Sequence, residues 1–168
     1  MDDLRQEFTF KPELRTHAQS VLRETTMLHN LTEPVYVSVH VRRTDYIDYL
    51  WQKLKARPAP ANYYFNAMKY FEKKYKNVVF LIASDNILWC KHNLQRYNWK
   101  IKFISNTDLR GPGYDLAVLA ACNHSIIDYG TYGCFGAIMA GGETIVYNVT
   151  AHFSTLIAEA MPNWKVMN

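Results

Sequence analysis

Val35-Tyr36-Val37-Ser38-Val39-His40-Val41-Arg42-Arg43-Thr44-Asp45-Tyr46 runs from an alternation of β-branched and small residues straight into two arginines, a threonine and an acid. The first seven residues have the length and composition of a strand, and the charge that follows marks its carboxyl end. In an open α/β sheet, ligands bind outside the carboxyl ends of the strands, so a paired arginine there is placed for an anion. Arginine suits phosphate because its planar fork donates two parallel charge-assisted hydrogen bonds and never loses its charge. The same pair can instead close a surface ion pair with Asp45 or Asp48, and the local pattern leaves both readings open.

Working outward, Leu14, Ala18, Val21, Leu22, Thr25 and Leu28 recur at helical spacing over residues 11–29, with Pro12 early, where its missing N–H does no harm. After the strand, residues 42–60 read as a long charged and aromatic loop, a length more often functional than decorative. Tyr64, Met68, Phe71 and Tyr75 stripe a helix over 61–75 and read as core. The apolar run Val78 to Ala83 is a strand buried on both faces, and Ser84-Asp85-Asn86 caps a helix reaching to about Arg96. A strand from Ile101 to Ser105 precedes the loop Asn106 to Gly113. Tyr114 to Cys122 is helical, with Asp115 in its first turn, where the helix dipole favours an acid. That position also aims Asp115 at the edge that carries Arg42. His124 to Tyr129 is a fourth strand, and Gly130-Thr131-Tyr132-Gly133 opens a helix whose free N–H groups suit an anion. Gly141-Gly142 ends that helix, Glu143 to Asn148 is a fifth strand, and an apolar stretch from Leu156 to Met161 leads to Pro162-Asn163-Trp164. The alternation predicts an α/β fold over residues 1–168: one domain with a doubly wound, mostly parallel sheet of about five strands.

A chain of 168 residues, 49% hydrophobic and 14% aromatic, is long and apolar enough to bury a full core, which excludes a disordered class. The net charge of +4 is spread along the chain without the basic stripe that nucleic acid demands, so no nucleic-acid partner is expected. No apolar run approaches the roughly 18 residues of a membrane span. The start, Met1-Asp2-Asp3-Leu4-Arg5, lacks a signal-peptide core, and the chain reads as soluble. Cys90, Cys122 and Cys134 lack metal-ligand spacing and read as buried, unreactive thiols, with room for one disulfide in an oxidising compartment. Three sequons, at Asn30, Asn123 and Asn148, point towards the secretory lumen, with Asn123 partly buried by its neighbours.

Together these pieces resemble the carboxyl-terminal half of the family 11 glycosyltransferases, the galactoside 2-alpha-L-fucosyltransferases. The first family motif, His-x-Arg-Arg-x-Asp-Tyr, matches His40 to Tyr46 completely. A second block matches Asp115 to Ile126 and runs into Gly130-Thr131-Tyr132-Gly133. Ser84-Asp85-Asn86 with Trp89-Cys90, Gly141 to Tyr147 and Pro162-Asn163-Trp164 follow the family pattern in order, over about residues 1–165.

The resemblance implies an inverting transfer of L-fucose from GDP-fucose to the 2-hydroxyl of a galactose-terminated glycan in the Golgi lumen. It implies no metal or other cofactor, and it places the chain as the Rossmann-like donor domain of a two-domain B-type transferase. The absence of an Asp-x-Asp element agrees with an arginine doing the cation's work. Membrane attachment belongs to an amino-terminal half, with anchor, stem and a Gly-Asn-Gln element, that has no counterpart in these residues. A truncated, non-catalytic relative that binds GDP or a partner protein is the alternative.

By the family motifs, Arg42 holds the β-phosphate, while Arg43 packs beneath the loop or exchanges roles with it. Asp115 pairs with the guanine edge. His40 lies alongside the base or is a satisfied strand-end histidine. Thr131 and Gly133 bind the diphosphate through the helix N-terminus. Ser84 and Asp85 shape the nucleotide pocket or only cap a helix. Asp45, ahead of Asp48, is the carboxylate available as base, or else it orients an arginine. Cys134 stands where many relatives carry a bulky aromatic.

Overall fold

A computed structural model describes residues 7–95, 98–105, 111–150 and 152–168. Helix α1 (Pro12–Leu28) leads into β1 (Val35–Val41), α2 (Thr44–Tyr49) and a π-helical turn at Leu50–Leu54. Next come α3 (Ala61–Lys74), β2 (Val78–Ser84), α4 (Ile87–Leu94) and β3 (Ile101–Phe103). The chain continues through α5 (Pro112–Ala120), β4 (His124–Ile127), α6 (Thr131–Ala140), β5 (Thr144–Tyr147), α7 (Phe153–Ala160) and β6 (Trp164–Met167).

The sheet has six strands in the order β3-β2-β1-β4-β5-β6, every pair parallel. This is the order of the doubly wound dinucleotide-binding fold, whose ligand crevice opens where the strand order reverses, here between β1 and β4. The expected count of five strands is corrected to six. The additional strand, β6, is a four-residue edge strand carrying Lys165, too short and too mixed to show a period of its own. The expected loop over 42–60 is corrected as well. Its first part is α2 and the π-helical turn, pinned by the fully buried Leu50 and closed by Lys55 in the left-handed region at φ 52°. The expected helix end at Arg96 and the loop residues 106–110 lie outside the described residues.

Strand alternation sends β1 residues to both faces. Val37, Val39 and Val41 pack with Phe80 and Ile82 of β2 against Tyr63, Tyr64, Met68 and Phe71 of α3. On the other face, Val79 and Leu81 meet Ala18 and Val21 of α1 and Ala117 and Val118 of α5. Ile127 and Val146 meet Cys134 and Ala137 of α6 and Ala158 of α7. Ser38 and His40 point to this second face, and only the last of them reaches the carboxyl edge. All three cysteines are free and buried, and burial pushes the thiols of Cys90 and Cys134 up to about 11 and about 12. No helix among the described residues is long and apolar enough to cross a membrane. Asn30, Asn123 and Asn148 are exposed; Asn123, expected to be partly buried, instead spends its side-chain oxygen on the Tyr36 N–H at 2.8 Å.

At the amino edge of the sheet, away from the crevice, Glu143 ties β5 to α3. It accepts hydrogen bonds from Tyr70, Tyr75 and Lys74. Desolvation works to raise its pKa, but the bonds from Lys74, Tyr75 and Tyr70 outweigh it and bring the value down to about 2. A carboxyl depressed in the folded state stabilises above its unfolded pKa, and that contribution is lost as pH falls through the folded value. Glu143→Gln is therefore expected to lower stability at neutral pH. Its stability should also fall less than that of the natural chain between about pH 4.5 and about pH 2, as urea unfolding at stepped pH would measure.

Candidate functional site

Outside the carboxyl ends of β1, β2 and β4 lies a cleft of about 320 Å³, lined by His40, Arg42, Tyr46, Asp115, Thr131 and their neighbours. It opens into a larger lobe of about 680 Å³ towards β3 and α1. Ser84, Asp85, Ser105, Pro112 and Asp115 border both.

Arg42 stands where β1 ends, about one-third exposed and facing the cleft. Its Nη2 lies 2.8 Å from Asp45 and its Nε 3.4 Å from Asp85, so the guanidinium sits between two carboxylates. The hydrogen bond from Arg42 holds the exposed Asp45 carboxyl below the usual carboxylate range. Arg43 turns the other way. Its guanidinium stacks 3.9 Å over the Trp89 ring, and its Nη1 reaches the Ala59 carbonyl at 3.4 Å. Arg43 does not line the cleft.

Asp85 acts from just beyond the end of β2 on the start of α2. Its carboxylate accepts the N–H groups of Arg43 at 2.8 Å and Thr44 at 3.1 Å, together with the Thr44 hydroxyl. An acid at the head of a helix satisfies donors that otherwise have no partner. It thereby fixes the turn from which Arg42 projects. Ser84 accepts the Asn86 N–H at 2.9 Å, and the Asn86 side chain accepts the Trp89 N–H, capping α4 as the sequence suggested.

His40 is buried, with its ring centroid 5.1 Å from that of Tyr132. Its Nδ1 lies 3.7 Å from Asp128 and has no hydrogen-bond partner among the described residues. Gly133 explains how it fits: a Cβ at that position would stand 2.7 Å from His40 Nδ1. Gly133 thus serves as space for His40. Gly130, at φ 91°, precedes α6, and Gly130, Thr131 and Tyr132 border the cleft. The Tyr132 hydroxyl donates to the Pro112 carbonyl at 2.6 Å and joins α6 to the head of α5. Asp115, in the first turn of α5, sits where the two lobes meet. Burial pushes its carboxyl up, opposed by a hydrogen bond from Ser105 and by the nearby His17 and His40. Asp45 and Asp48 are both exposed and neither lines the cleft, although Asp45 reaches it through its ion pair with Arg42. Among the described residues, no three His, Cys, Asp or Glu side chains are grouped to hold a metal.

The Glycosyl transferase family 11 model matches residues 1–168. The chain belongs to that family. It is 34% identical to the galactoside alpha-(1,2)-fucosyltransferase 1 of Saimiri sciureus and 33% identical to that of Saimiri boliviensis boliviensis, over 99% of this chain and 48% of each relative. The chain thus spans about half the length of these relatives. In fold it is similar to a crystal structure of a family 9 glycosyl transferase from Veillonella parvula. The TM-score is 0.54 at 17% identity, over 83% of this chain and 36% of that one.

In this family 11 chain the sequence reading missed one residue that lines the cleft and one buried behind it. Tyr46 stacks on Tyr129, centroids 5.1 Å apart and planes within 9°, and lines the cleft beside Arg42. The fully buried Asp128 accepts hydrogen bonds from the Arg42 N–H at 2.6 Å, the Tyr64 hydroxyl at 2.9 Å and the Tyr129 N–H at 2.7 Å. A signal existed. Asp128 follows a buried apolar strand just as Arg42 does, but extending β4 to Tyr129 absorbed the acid into the strand.

Proposed function

We propose that this chain is the donor-binding domain, residues 1–168, of an inverting, metal-independent galactoside 2-alpha-L-fucosyltransferase. It would take GDP-fucose as donor and a galactose-terminated glycan as acceptor in the Golgi lumen. The observation that carries the proposal is that Arg42, the amino end of α6 and Asp115 border one cleft at the β1/β4 reversal.

In this reading the diphosphate occupies the smaller lobe and the nucleoside the larger one. Arg42 donates to the β-phosphate, assisted by the backbone N–H groups at Thr131 and Tyr132. As the glycosidic bond breaks, charge grows on that phosphate. A fixed guanidinium then stabilises the transition state more than the ground state, which is the part a metal would otherwise play. The Asp115 carboxylate accepts the paired N–H groups of guanine, with His40 alongside. Phosphate displaces Asp45 from Arg42 and frees its carboxylate to take the proton of the acceptor hydroxyl, on the face opposite the departing GDP.

Two substitutions test this. Arg42→Ala is expected to weaken GDP about 30- to 100-fold and leave guanosine unchanged, because a charge-assisted bidentate contact to phosphate is lost. Asp115→Asn is expected to erase the preference for GDP over ADP. Calorimetric titration reads both, and equal loss of GDP and guanosine in Arg42→Ala would overturn the phosphate assignment.

A further inference from the structure

We infer that Asp128 is a positioning residue that presents Arg42 to the donor's diphosphate. The inference rests on the donor reading above. Both backbone polar groups of Arg42 are held from the end of β4. Its N–H donates to Asp128 at 2.6 Å, and its carbonyl accepts the Tyr129 hydroxyl at 3.0 Å. Asp128 is in turn fixed by two further donors, the Tyr64 hydroxyl and the Tyr129 N–H, and has no exposed surface. The clamp therefore spans β1 and β4, the two strands whose reversal opens the crevice. It sets the backbone of Arg42 itself, while Asp85 holds the N–H groups of the two residues that follow and meets Arg42 at Nε, and Asp45 meets only the guanidinium Nη2.

The sign of the charge separates positioning from attraction. A buried carboxylate behind an anion site repels the anion, the more so at low local dielectric. If Asp128 acted on the ligand through its charge alone, neutralising it would tighten GDP. If it acts through the Arg42 backbone, neutralising it weakens GDP, because an amide oxygen is a weaker acceptor and the new NH2 faces N–H and O–H donors.

Asp128→Asn and the milder Tyr64→Phe, which removes one donor to the same carboxylate oxygen and leaves Arg42 untouched, make the test. In each folded variant GDP and guanosine affinities are measured by calorimetry. Exchange of the Arg42 amide is followed by NMR against the Val37 and Val39 amides of β1. The expected result is GDP weakened about tenfold in Asp128→Asn and about threefold in Tyr64→Phe, with guanosine unchanged, since a hydrogen bond to a charged group is lost or loosened. The Arg42 amide should exchange about tenfold faster in Asp128→Asn while Val37 and Val39 keep their rates. A purely structural role would move guanosine with GDP. Equal weakening of both ligands, unchanged GDP affinity, or tighter GDP overturns the inference. If the natural chain binds no GDP, the donor reading fails, and an Arg42 amide that exchanges equally fast in natural and variant proteins still refutes the clamp.

Discussion

Gly142→Ala is expected to destabilise the chain by about 4 kcal/mol or more, the range of severe backbone clashes. A Cβ at position 142 would stand 1.7 Å from the Asn123 carbonyl oxygen and 2.9 Å from its carbon, with His124 Nδ1 at 2.7 Å. Neither side can yield. The Asn123 N–H donates to Tyr36 O at 2.9 Å, and its side chain accepts the Tyr36 N–H, so this backbone is locked to β1. The Gly142 carbonyl accepts the Asn163 amide at 2.6 Å, which ties it to the turn before β6. Urea unfolding would measure the loss. Stability within about 1 kcal/mol of the natural chain would mean that β4 and β5 are not held as described.

Asp128→Ala is the second large loss, about 3 to 5 kcal/mol, because removing one partner of a buried charged network strands the rest. Three donors, on Arg42, Tyr64 and Tyr129, would be left facing a space where the carboxylate stood. The loss should exceed that of Tyr64→Phe, which removes a donor along with its need for a partner. Equal losses in the two variants, read from paired urea titrations, would mean that the tyrosine alone accounts for the network. Unlike Gly142→Ala, this change removes the acceptor of the Arg42 N–H behind the crevice, so GDP affinity should fall with stability.

The sequence pattern carried the crevice further than it carried the sheet. β1 could be read because seven residues alternate and then break into charge, and β2 because six apolar residues run together. β6 could not, because four residues at a sheet edge, one of them a lysine, bear no period. The helical start of 42–60 was hidden because its cap comes from Asp85, 41 residues beyond Thr44, and its burial rests on Leu50 alone. Of the two arginines, only Arg42 faces the cleft. Arg43 is drawn away by Trp89, a tertiary contact that no local pattern announces. The Gly-Thr-Tyr-Gly element was legible as a helix start bordering the cleft, but Gly133 proves to answer to His40.

The most direct test of the central claim is a thermal-shift titration of the 168-residue chain with GDP and with ADP. At 100 times its dissociation constant a ligand adds about 2.7 kcal/mol of stability, which for a chain of this size raises the melting temperature by about 5–10 °C. GDP should produce that shift and ADP a much smaller one. A folded chain that neither nucleotide stabilises, or that both stabilise equally, would contradict it.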